Sequence, residues 1–305
     1  MTLNAVVPNR DHELGDLIRD EQWCIDRLFT VRWPDGFICP FCGHRQAGQE
    51  PVRKILCRYC KKISTVTSGT ILHGSKKQLT LWFQAIWWLI SSVPDLSIKG
   101  LQKELEFSSY QTAWTWMGKL RLVLQIFVDE PSGGTVIVGP AEIPGHDGDD
   151  AFGRIITAVE SIADGRMTGK VQMVHVDTMD YRAVSGFVRK HVRSGSSVIV
   201  PEREPFSALA DTAGYFFIVD KTGMSGTVLP ALMKAFAAWY KRKKYRPVNV
   251  HLVQGQLNEF CFMQTVRLYP NRRRLFERML TALVEHGPVS VRELTGAADS
   301  RRSRI

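Results

Sequence analysis

Cys39-Pro40-Phe41-Cys42 and Cys57-Arg58-Tyr59-Cys60 constrain this chain more than any other feature. Two CxxC knuckles with fourteen residues between them read as a zinc ribbon. Each knuckle aims two thiolates at one point, and four thiolates close a tetrahedral shell around Zn²⁺. A closed shell leaves no position for water, so this zinc is expected to hold structure and not to catalyse. The alternative is a reduced, metal-free pair of knuckles or a redox dithiol, which the spacing favours less. The two other cysteines, Cys24 and Cys261, are too few for a disulfide framework, and a reducing compartment is expected.

The 305 residues have room for two or three domains, and the net charge of +10 is unevenly spread. Lys241, Arg242, Lys243, Lys244 and Arg246 form one cluster, Arg272, Arg273 and Arg274 another, and Arg301, Arg302 and Arg304 a third. The ribbon adds Arg53, Lys54, Arg58, Lys61 and Lys62. One basic run is ordinarily a solvated face; three beside a zinc ribbon favour a polyanion, double-stranded DNA above all. The opening MTLNAVVPNRDHELGDL lacks a basic region followed by an apolar core, so no signal peptide is expected. Leu79 to Ile90 is too short to span a bilayer. A cytoplasmic, nucleoid-associated protein without a membrane partner follows as the expectation.

Five regions are expected. Residues 1–36 hold a polar lead and a helix from Asp20 to Phe29. Residues 37–66 are the ribbon, with Val52, Ile55, Tyr59 and Ile63 as its miniature core. Residues 67–130 are helical: an apolar helix from Leu79 to Ser92, then a helix-turn-helix between Asp95 and Phe127. Ala113, Met117, Leu120 and Leu124 repeat at helical spacing and should pack inward. That leaves Gln111, Thr112, Thr115 and Lys119, with Arg121, for base edges and phosphates. A helical hairpin that merely packs is the alternative. Arg58, Lys61, Lys62, Lys241, Arg242, Lys243 and Lys244 complete the expected DNA contacts.

Residues 131–272 change texture. Strands at Thr135–Val138, Phe152–Val159, Lys170–Val176, Ser197–Val200 and Phe216–Val219 are interleaved with helices at Tyr181–Val192, Gly226–Tyr240 and Leu257–Leu268. Three strands able to form a meander, then helix-strand-helix-strand-helix, is the order of an RNase H-like α/β domain. Residues 273–305 are expected to be a C-terminal helix and a basic tail. The fold class is therefore multidomain α/β.

With that order on the page, the chain resembles bacterial insertion-sequence transposases of the DDE type that carry a zinc ribbon ahead of an ISXO-two-like domain. The residues that carry the resemblance are Cys24 to Leu28, Arg32-Trp33-Pro34-Asp35-Gly36-Phe37-Ile38 running into the first knuckle, Thr67-Ser68-Gly69-Thr70-Ile71, Ala113-Trp114 and Lys119-Leu120-Arg121. The resemblance implies chemistry by two Mg²⁺ ions on three carboxylate-type positions, which activate a water or a 3′ hydroxyl for in-line phosphoryl transfer. It places the first acid after the first strand, where this chain has Gly139. The second belongs after the fourth strand, where Pro201 stands. The third belongs at the start of the long helix, where Gly226 to Leu229 stand in a stretch from Lys221 to Asn258 that contains no Asp or Glu.

The expectation is a transposase-derived DNA-binding protein that has lost catalysis and acts in regulation or in a nucleoprotein complex, commonly as a homodimer. The first alternative is an active enzyme with relocated ligands, Glu142, Asp177 and Glu202, which would use Mg²⁺. The second is a scaffold whose ribbon and helices bind protein partners.

Overall fold

The computed structural model describes residues 18–91, 96–143, 153–162, 167–211, 213–221, 225–243 and 250–295. The polar lead, the acidic stretch Asp147-Gly148-Asp149-Asp150, Lys244, Arg246 and the terminal arginines lie outside them. The chain forms two compact units, Met1–Val123 with Asn271–Val291, and Leu124–Pro270 with Arg292–Ile305.

The first unit opens with α1 (Glu21–Arg32), whose N-cap Asp20 accepts a hydrogen bond from the Trp23 amide at 2.7 Å. The ribbon follows as two antiparallel hairpins, β1 (Phe37–Ile38) with β2 (Arg45–Gln46), and β3 (Lys54–Leu56) with β4 (Ile63–Thr65). α2 (Leu79–Ser91) is apolar nearly all round, and Leu79, Trp82, Phe83, Ile86, Leu89 and Ile90 are at most 1% exposed, so it is the central helix of this unit. α3 (Ile98–Glu104) and α4 (Tyr110–Val123) pack beside it, with Trp116 stacked on Trp82 at 3.5 Å between centroids. The helix Arg272–Glu285 belongs here too. Its Leu275, Phe276, Met279, Leu280 and Leu283 are fully buried, and Phe276 meets Phe83 and Trp87 edge-on. The apolar spacing of that helix serves the core of a unit begun at the other end of the chain.

Glu21 ties three parts of this unit together. Its carboxylate pairs with Arg53 of the ribbon at 2.7 Å and accepts from the Leu79 and Thr80 amides at the start of α2. An acid on the exposed N-terminal amides of a helix is favourably placed against the helix dipole.

The second unit opens with α5 (Gln125–Asp129). Strands β5 (Thr135–Ile143), β6 (Gly153–Ile162) and β7 (Met167–Val176) form an antiparallel meander. After α6 (Tyr181–His191), β8 (Ser197–Pro201) pairs parallel to β5, and β9 (Phe216–Asp220) parallel to β8. The sheet order is β7-β6-β5-β8-β9. α7 (Ser225–Arg242) and α8 (Val250–Thr265) follow.

Period two sorts the side chains. Val136, Val138, Val198 and Val200 pack with Val184, Phe187 and Val188 of α6. Ile137, Ala141, Ile155 and Val171 pack with Leu229, Leu232 and Phe236 of α7 and Leu257 and Phe260 of α8. A sheet covered on both faces needs apolar residues at successive positions, which is why its central strands read as continuous runs.

Candidate metal centre and nucleic-acid interface

The knuckle sulfurs converge. Cys39 and Cys60 Sγ stand 3.7 Å apart, as do Cys42 and Cys57 Sγ, and all four lie within 4.8 Å of one another. Four sulfurs about 2.3 Å from one ion at tetrahedral angles stand about 3.8 Å apart, so this cage fits Zn²⁺. The knuckles hold it by backbone bonds: the Gly43 amide donates to Cys39 O, and the Lys61 amide to Cys57 O, with Gly43 and Lys61 both at positive φ. Zn²⁺ here is a structural ion.

The miniature core of the ribbon is smaller than its sequence suggests. Ile55 is 1% exposed, but Tyr59 is 73% and Ile63 is 61% exposed, and Val52 also faces solvent. β3 alternates, so Ile55 and Ser64 turn inward while Leu56 and Ile63, a cross-strand pair, turn outward. Two short hairpins have only one inner face.

The helix pair is present, with the turn around Phe107 pinned by Gln102, whose Nε2 donates to Phe107 O while Gln102 O accepts the Phe107 amide. Ala113, Met117, Leu120 and Leu124 are buried. Gln111 is exposed, and Thr112 and Thr115 are half-buried, with the Thr115 hydroxyl donating back to Gln111 O. Two residues expected on the outer face point inward. Lys119 Nζ donates to Ile71 O at 2.8 Å, and burial holds its pKa below the ordinary lysine value. Arg121 is 8% exposed. For Lys119 the reason is local: side-chain cations meet carbonyls in and beside the Thr67-Ser68-Gly69-Thr70-Ile71 turn. Arg32 serves the carbonyls of Thr65, Val66 and Ser68, and Lys119 serves that of Ile71. Gly69 sits at φ +80°, and a Cβ there would come within 3.4 Å of Arg32 Nη2. Arg32, the turn and Lys119 thus form a structural bracket.

Of the cluster after residue 240, Lys241 and Arg242 are exposed. Lys243 is not: its side chain is 12% exposed, pairs with the fully buried Glu259 at 3.3 Å and lies over Trp239. A buried carboxylate needs a counter-charge, and Lys243 supplies it.

Of the positions where the resemblance places acids, Gly139, Pro201 and Leu229 lie together. Ile137 of β5 faces Ile199 of β8, and two residues further along both strands stand Gly139 and Pro201, on the face covered by α7. A Cβ built on Gly139 would collide with Leu229 Cδ1 and lie 4.0 Å from Pro201 Cδ. Leu229 is 7% exposed. What converges here is hydrocarbon. A groove of about 680 Å³ in the same unit has Pro140, Glu142, Arg154, Arg203 and Glu204 among its lining.

Glu142, Asp177 and Glu202 are each exposed and do not gather into a metal-ligating group; among the described residues the four ribbon cysteines are the one such group. The N-cap of α6 is Asp180. Asp180 accepts from the Ala183 amide at 2.8 Å, and this bond, aided by the Thr178 hydroxyl, holds its pKa below the ordinary aspartate value.

Against known proteins, one stretch of the chain stands out. Residues 19–63 match the transposase zinc-ribbon domain of the IS1595 type. The match spans α1, both knuckles and the hairpins up to the start of β4, so the similarity is confined to the ribbon and the helix before it. No curated protein matches the chain. Among the described residues, no helix is long and apolar enough to cross a membrane.

Proposed function

We propose that the chain is a transposase-derived DNA-binding protein whose nuclease-type domain has lost catalysis, acting in regulation or in a nucleoprotein complex. The observation that carries this reading is Leu229 seated against Gly139 beside Pro201. Two-metal phosphoryl transfer needs oxygen ligands around ions about 3.5–4 Å apart. Hydrocarbon cannot hold such ions, and an Asp at Gly139 has no room while Leu229 stays.

The sheet order and strand directions support an RNase H-like reading of the second unit: an antiparallel meander of three strands, then two strands parallel to the first. The ribbon match supports duplex DNA as partner, with the Tyr110–Val123 helix presenting Gln111, Thr112 and Thr115 as the reading face. Arg58, Lys61, Lys62, Lys241 and Arg242 are exposed cations suited to phosphate. Two copies per DNA site is the stoichiometry to expect.

The test is incubation of zinc-loaded protein with supercoiled plasmid and Mg²⁺ or Mn²⁺. Retarded but uncut DNA is expected. Nicking or joining that disappears in Glu142→Ala, Asp177→Ala or Glu202→Ala would overturn the reading and restore the active enzyme. Genome-wide occupancy then separates roles: promoters for a regulator, inverted-repeat ends for a partner of transposition.

A further inference from the structure

The ribbon exposes more ring surface than duplex binding calls for. Phe41 is 53% exposed and Tyr59 73% exposed, one from each knuckle. Each is fixed by a neighbour across the metal: Lys62 Nζ lies 5.2 Å from the Phe41 ring centroid, and His44 stacks on Tyr59 at 5.3 Å with 21° between planes. A ring stacked on one side yet 73% exposed has its other face open. Leu56 and Ile63 add an exposed apolar pair on the adjoining hairpin.

The same segment is strongly cationic. Residues 37–66 carry six Lys and Arg against the single carboxylate of Glu50. Zinc with four thiolates carries two negative charges, so the cations exceed what the metal centre neutralises. Arg53 is committed to Glu21, whereas among the described residues no carboxylate ion-pairs with Lys54, Arg58, Lys61 or Lys62.

We propose that this metal end of the ribbon binds single-stranded DNA, stacking unpaired bases on Tyr59 and Phe41 while Lys54, Arg58, Lys61 and Lys62 track the phosphates. The inference rests on the DNA-binding reading above and adds the form of DNA. A duplex hides the faces of its bases and offers these rings nothing to stack on; a single strand presents a π-face at every nucleotide. A protein partner fits less well, because the cores of protein interfaces are depleted in lysine. Splayed or unpaired strands at a DNA end or bubble are the chemistry this surface suits.

The experiment is fluorescence anisotropy of the full, zinc-loaded chain with labelled oligothymidine of about twenty nucleotides and with a duplex of equal length. Replacing both rings (Phe41→Ala with Tyr59→Ala) should weaken oligothymidine binding about tenfold or more. Duplex binding should change by less than about twofold, because phosphate contacts persist. Tyr59→Phe should keep the single-strand affinity. A double variant that binds oligothymidine like the parent, or that loses both forms equally with its zinc retained, overturns the inference. Photocrosslinking of the unaltered protein to iodouracil-substituted oligothymidine checks it without any variant: adducts at Tyr59 or Phe41 support it, and adducts confined elsewhere sink it. Failure to bind either form of DNA would instead overturn the DNA-binding reading itself; duplex binding without ring dependence removes only the single-strand surface.

Discussion

The knuckles and the Gly139 point are both places where separate stretches of chain bring side chains to one spot, yet they hold opposite chemistry. At the knuckles, four sulfurs meet at a spacing that suits an ion. At the other point, a strand glycine, a strand-end proline and a helix leucine meet and leave no oxygen for one. The difference teaches that convergence of backbone alone does not make a metal site: the atoms placed at the meeting point decide whether it can hold an ion or only pack. Sulfurs meet at one place, methyl and methylene groups at the other.

The largest expected effect breaks the first half of the comparison. Cys57→Ser, or exhaustive chelation, should release the zinc and unfold the ribbon, since structural zinc contributes on the order of 10 kcal/mol. Zinc content by mass spectrometry and loss of DNA retardation report it. A fully folded, DNA-binding, zinc-free chain would show that the ribbon stands on its hairpins alone.

The second half is sharpened by a mutant cycle. Leu229→Ala should cost about 2–5 kcal/mol in urea unfolding, the range for truncating a buried leucine. Gly139→Ala should cost about 1–3 kcal/mol, because its new methyl collides with Leu229. The double variant should be less destabilised than the sum, since each change relieves the other. Simple additivity would mean that the two residues do not press on one another. Arg32→Met, which removes the guanidinium donors from the Val66 and Ser68 carbonyls and leaves Thr65 O only the Ser68 amide, should cost about 3 kcal/mol. If its cost is near zero, water replaces Arg32 there.

The smallest effect concerns pH. His191 is 2% exposed and hydrogen-bonds Val128 O through Nδ1, and burial holds its pKa below the ordinary histidine value. The folded state therefore binds this proton less readily than the unfolded chain. The contribution is complete above about pH 6.5 and is lost as pH falls through the lower folded value. His191→Gln should flatten that part of the pH–stability curve, and an unchanged curve would place the acid sensitivity elsewhere.

Legibility followed the range of the forces involved. The cage was readable because two knuckles encode it within a short stretch. The α/β order was readable because strands buried on both faces and amphipathic helices write their periods locally. Lys119 escapes the sequence pattern because helical spacing marks an apolar stripe but not a cation bent back to a turn carbonyl, and the burial of Arg121 is equally invisible to it. Tyr59 and Ile63 were assigned to a core because apolar residues in so small a module look like one; only pairing of β3 with β4 shows which face has no cover. Lys243 looked like part of a basic patch, and its buried partner Glu259 lies beyond the reach of any local pattern. The stripe Leu275, Phe276, Met279, Leu280 and Leu283 was visible in principle, but nothing in it names α2 as its destination.

That last pairing has a consequence for the order of events on the ribosome. Residues Leu124–Pro270 are contiguous and can assemble as they emerge, whereas the core around Phe83 and Trp87 waits for Phe276. The core begun by the first unit therefore closes only after most of the second unit has been made. Until the closing helix arrives, a nascent chain already able to hold zinc carries an open flank of tryptophan and phenylalanine. A message cut short before residue 271 would leave that flank permanently uncovered, a substrate for chaperones and proteases instead of a shortened DNA-binding protein.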